Sequence, residues 1–121
     1  MSAIPAVLRP LGDTGESIWD SVWSQAHWLS DSDGAVMQRY CELWDEYAEA
    51  CAELDESGRL MEGSKGQMVP SGFISMKLNI DNALRQHEKL LGLNPLARKQ
   101  LNVPAIDVDD FADFIDDLQR A

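Results

Sequence analysis

Two histidines, two cysteines and a cluster of seven cations are the side chains of this 121-residue chain whose chemistry their spacing could decide. His27 and His87 stand alone, with no His-x-x-x-His or Cys-x-x-Cys pair to hold a metal. No serine or cysteine has a histidine placed to act as its base, and His87 falls on an apolar helical stripe that reads as core packing. Gly63-Ser64-Lys65-Gly66 puts one lysine in a glycine-rich turn but lacks the GxxxxGK[ST] spacing of a phosphate loop. Cys41 and Cys51 lie ten residues apart in one predicted helix, about 15 Å, which is too far for a disulfide. They read as free thiols of a reducing compartment. The pattern excludes an enzyme with a recognisable catalytic set, and it implies no cofactor and no metal.

The remaining chemistry is electrostatic. Formal net charge is −11, which opposes bulk adhesion to nucleic acid or an anionic membrane. The distribution is uneven. Residues 31–57 carry −8 and residues 106–121 carry −5, while residues 58–105 set seven cations against three acids and are net +4. Those cations are Arg59, Lys65, Lys77, Arg85, Lys89, Arg98 and Lys99, and a polyanion must meet the chain there. Lys65 and the adjacent Arg98 and Lys99 are the leading candidates for contact. Pairing of the same cations with acids of neighbouring subunits is the competing reading.

The elements that position them are helical. Residues 1–12, with Pro5, Pro10 and Gly12, predict an irregular arm, followed by a helical core over 13–105 and an acidic amphipathic tail over 106–121. Thr14 predicts a cap for a first helix running to about Trp28, with Ile18, Trp19, Val22, Trp23 and Ala26 as its stripe. Ser30-Asp31-Ser32-Asp33 predicts the start of a second helix over about 32–57, roughly 40 Å long, ended by Ser57-Gly58. Its apolar stripe contains Met37, Tyr40, Cys41, Trp44, Tyr47, Ala48, Cys51 and Leu54, and glutamates cover the rest. Residues 58–72 predict a loop with hairpin tendency, turning at Gly63-Ser64-Lys65-Gly66 between Arg59-Leu60-Met61 and Gln67-Met68-Val69. A third helix over about 72–91 buries Phe73, Met76, Ile80, Ala83, Leu84, His87 and Leu91. Gly92 stops it, and Asn94-Pro95 caps and opens a short fourth helix over 95–101. Val103-Pro104 breaks the chain before a last helix at about 108–119, whose Phe111, Phe114, Ile115 and Leu118 share one side. That helix either packs back on the core or docks on a partner. The fold class is all-α: a long helical hairpin with short flanking helices, a possible small β-hairpin in the connector, and a protomer suited to side-by-side packing. There is no membrane-spanning run, and the first ten residues lack a signal-peptide layout, so the cytoplasm is the expected location.

Five strings in this order resemble the small terminase subunits of tailed double-stranded DNA phages and prophages, in the subfamily with a helical-hairpin core. They are IWDSVWSQAHWL, SDSDGAVMQRYCELWDEYAEACAEL, GRLMEGSKGQMVP, FISMKLNIDNALRQHEKLLGL and LGLNPLARKQL, spanning about 13–102. The last matches an ending that usually reads Leu-Gly-Leu-(Thr/Ser)-Pro-x-(Ser/Ala)-Arg, with Asn94 in place of the usual Thr or Ser. The usual basic arm is reduced here to Arg9. The resemblance implies a non-enzymatic packaging component, located for a phage protein in the host cytoplasm, that self-assembles into rings, commonly of about eight to twelve copies. Such a ring recognises double-stranded viral DNA at the packaging site, and it recruits and regulates the large ATPase-nuclease subunit. The rival classes are a helical adaptor that binds only protein and an acidic DNA-mimic inhibitor.

Overall fold

The computed structural model describes residues 4–103. The expected tail helix, with Phe111, Phe114, Ile115 and Leu118, lies outside those residues. The elements run α1 (Asp13–Gln25), a 3-10 turn (Asp31–Asp33), α2 (Gly34–Ser57), β1 (Leu60–Glu62), β2 (Met68–Pro70), α3 (Gly72–Leu91) and α4 (Pro95–Gln100). The described residues are therefore mostly helical, with one small antiparallel hairpin between α2 and α3.

Local chemistry sets most boundaries. Ser71 Oγ accepts from Phe73 N at 3.2 Å and starts α3. Gly92 ends that helix in the left-handed region at φ 72°, and the Leu93 N–H donates to Glu88 O at 2.9 Å. Asn94 Oδ1 accepts from Ala97 N at 2.7 Å, with Pro95 at the first turn of α4. The Ser30 N–H donates to the Asp33 carboxylate at 2.9 Å, which makes the lead into α2. In the connector, Leu60, Met61 and Glu62 face Pro70, Val69 and Met68, and the Gly63 N–H donates to Gln67 O at 2.6 Å to close the turn.

Three expectations change. The first helix ends at Gln25 rather than near Trp28, because Ala26 leaves helical geometry. Its amino end is not capped by Thr14; a carboxylate from α2 does that work, as described below. Met76, expected in the core, is 47% exposed, because the α2–α3 contact is centred on Ile80, Leu84 and Leu91 and leaves Met76 at its margin.

The core is made where α1 and α3 pack against the central α2. Ile18, Val22 and Ala26 meet Met37, Tyr40, Cys41 and Trp44, and α3 adds Ile80, Leu84 and Leu91. Trp44 sits edge-on between Tyr40 and Tyr47, with centroids 6.4 and 5.5 Å away. Such contacts add about 0.5–1.5 kcal/mol each beyond the area they bury. The arm is tied to this frame by side chains. Gln38 accepts from Leu8 N and donates to Arg9 O, and the Trp19 indole N–H donates to Pro5 O at 2.8 Å.

Candidate nucleic-acid interface

The corner between α3 and α4 assembles around the last carbonyls of α3, which have no partner inside their own helix. The Trp28 indole N–H donates to Leu91 O at 2.7 Å, and Arg98 Nη1 donates to Gly92 O at 3.1 Å. The Arg98 guanidinium also lies 5.4 Å from the centroid of the Trp28 ring. Arg98 is thereby 8% exposed, and burial lowers its pKa from the ordinary arginine value. The sequence offered Arg98 to solvent beside Lys99. The structure turns it inward as a clip that joins α4, α3 and the α1–α2 link, and leaves Lys99 exposed. The missed signal was Trp28, which has no place on a helical stripe and whose N–H needs an acceptor.

The other expected cations are dispersed along the connector and α3. Arg59 stands at the root of the hairpin and Lys65 in its turn, both exposed. Lys77 is half-buried, with Nζ 5.6 Å from the centroid of the Tyr47 ring. Arg85 is exposed and bonded to Asp81 at 3.0 Å, one helical turn back, an interaction that raises its pKa. Lys89 is exposed in the last turn of α3. Leu78, Asn82, Arg85 and Lys89 fall at i, i+4, i+7 and i+11, and all four are exposed, so they form one solvent face of α3. That face ends at the corner carrying Lys99. In contrast, the α2 surface carries Glu46, Glu49 and Glu56 to solvent.

Behind this face the helices are pinned by polar groups that the periodicity did not single out. Tyr40 O–H donates to Glu88 Oε2 at 2.7 Å in the buried α2–α3 seam. Burial first, then the Glu88 charge, pushes the Tyr40 pKa well above its ordinary value. On the other side of α2, Asp45 accepts from Gly12 N at 2.8 Å and from Gly15 N at 2.7 Å. A carboxylate is thus held at the positive end of α1, where the helix dipole favours it. Its position, thirty residues along the chain, hid it from a local reading.

Among the described residues no group of three or more His, Cys, Asp or Glu is placed to hold a metal, and no helix is long and apolar enough to cross a membrane. A shallow groove of about 300 Å³ between α2 and α3 is lined by Ala50, Phe73, Met76 and Ile80, with Glu46 and Glu49 at its edge. It holds no nucleophile–base pair. A family model described as phage terminase, small subunit, matches residues 15–107. Neither the curated proteins nor the solved structures yield a match.

Proposed function

The chain belongs to the phage terminase small-subunit family, and from that membership we propose that it acts without catalysis in phage DNA packaging, as an oligomeric ring. In this reading the ring binds double-stranded viral DNA at the packaging site, and recruits and regulates the large terminase subunit. One observation supports the DNA step above all: an acidic protein keeps a solvent face on α3 where Arg85 and Lys89 are exposed, with exposed Lys99 at the corner beyond. Repeated around a ring, a few cations per protomer add up to a band that phosphates can follow. Arg98 supports the face indirectly, by fixing α4 on α3. The acidic residues 106–121, with Phe111, Phe114, Ile115 and Leu118, are the proposed docking element for the large subunit.

The test is DNA binding by fluorescence anisotropy at low salt, with wild type and Lys89→Glu/Lys99→Glu, alongside native mass spectrometry. A ring whose DNA affinity disappears in the double variant supports the reading. A monomer at micromolar concentration, or binding unchanged by the substitutions, rejects it. The protein-only adaptor gains support from one feature, namely that Arg85, Lys77 and Arg98 each have a partner within the chain. A ring that does not bind DNA at low salt selects that reading.

A further inference from the structure

The β1–β2 hairpin is left with work to do outside its own protomer. Strands of three residues in a two-stranded sheet are marginal in water, and both outer edges carry unpaired backbone groups. The register places Leu60 opposite Pro70 and Glu62 opposite Met68, so Leu60, Glu62, Met68 and Pro70 share one face. Leu60 is 55% exposed and Met68 62% exposed. Three of the four side chains on this face are apolar and the exposed Glu62 is the fourth, so on an element this small Leu60 and Met68 call for a cover.

The α2–α3 groove has the complementary character. Its lining joins the buried Ala50 and Ile80, the partly buried Phe73 and the half-exposed Met76 to the exposed Glu46 and Glu49. The hairpin brings its apolar side chains together with two cations, Arg59 at its root and Lys65 in its turn, against the single carboxylate of Glu62, so it is net positive where the groove is negative. We propose that the hairpin of one copy seats in the α2–α3 groove of the next, with Leu60 and Met68 over Phe73 and Met76 and with Lys65 facing Glu46 and Glu49. The two surfaces differ, so the contact is head-to-tail and each copy keeps one free donor and one free acceptor until a circle closes. The apolar contact supplies the burial, and the charges select the partner and its orientation. This inference rests on the ring reading above and specifies which surfaces make it. It assigns Arg59 and Lys65 to assembly, and leaves the α3 face and Lys99 to DNA.

The test is a Met68→Cys/Met76→Cys chain treated with a mild oxidant. Cys41 is buried and Cys51 half-buried, so wild type serves as the background. Head-to-tail seating gives a ladder of disulfide-linked multimers on a denaturing gel, which neither single variant gives. Linked dimers from a single variant indicate a symmetric contact and overturn the proposal, as does a disulfide confined to one chain. Rings by native mass spectrometry without a ladder remove the hairpin contact and leave the ring reading standing; absence of any oligomer in wild type removes both. As a second arm, Lys65→Glu or Glu49→Lys alone raises the concentration needed for assembly by about tenfold or more, and the two together in one chain restore it. Unchanged assembly with weakened DNA binding in Lys65→Glu also overturns the proposal.

Discussion

Asp45 and Gly15 are in contact across the α1–α2 seam. The Gly15 N–H donates to Asp45 Oδ1 at 2.7 Å, and a Cβ built on Gly15 would lie 2.9 Å from Asp45 Cγ and 2.9 Å from Cys41 O. Only a residue without a side chain lets the first turn of α1 reach this carboxylate. Gly15→Ala must push α1 off α2, a strain of about 1–3 kcal/mol. Asp45→Ala, which takes the acceptor from the exposed Gly12 amide and the part-buried Gly15 amide at the helix start, costs about 0.5–2 kcal/mol. Urea unfolding monitored by Trp fluorescence reads both, and the double variant should cost less than the two separately, since each breaks the same contact.

Arg98 and Lys99 are sequence neighbours with opposite expected phenotypes. Arg98→Ala loses the Gly92 carbonyl bond and the Trp28 stacking and destabilises by about 1.5–3 kcal/mol. Lys99→Ala stays within about 0.5 kcal/mol of wild type in stability and weakens DNA binding. Thermal unfolding and anisotropy on the same two samples separate the roles. Equal stability loss in both would refute the assignment.

DNA affinity should fall steeply with salt. Each phosphate neutralised contributes about −0.9 to the slope of log K against log salt. Lys89→Ala therefore lowers the slope by about 0.9 for every protomer engaged with the duplex. The slope, measured between about 50 and 200 mM salt, should drop while the fold, read by circular dichroism, is unchanged.

Alkaline pH should destabilise the fold. Burial first, then Asp45, Asp20 and Glu42, raises the Cys41 thiol from 9.0 to about 12, and Tyr40 is raised as well. Both groups are held neutral in the native state and ionise sooner in the unfolded chain. The Cys41 contribution is whole below pH 9 and is lost as pH climbs from about 9 toward 12, and the Tyr40 contribution is lost in the same direction above its ordinary value of 10.0. Urea midpoints at pH 8, 9.5 and 10.5 should fall in that order, and Cys41→Ala should flatten the trend. The same neutral thiol leaves Cys41 unreactive toward alkylating agents at pH 8 in the native protein.

Much of this molecule was legible in the chain because the forces that set it act over a few residues. Ser71, Gly92, Asn94 and Pro95 fix the ends of α3 and α4 through bonds spanning two to five positions. The apolar period of α2 named Tyr40, Cys41, Trp44 and Tyr47 as core. The family was legible for the same reason, since LGLNPLARKQL spells out this capped corner in order, and the family match spans most of the stretch that carries the likeness. What the chain could not specify were the contacts between faces. The carboxylate that caps α1 comes from Asp45, thirty residues away, and replaces the expected Thr14. Arg98, written into a basic dipeptide, is drawn inward because Trp28 arrives from the other end of the chain to offer its ring. Met76 keeps helical phase with the core yet stands outside it, because where α3 crosses α2 decides which apolar positions are covered. Spacing along one helix defines a face, and only the packed structure determines what that face meets.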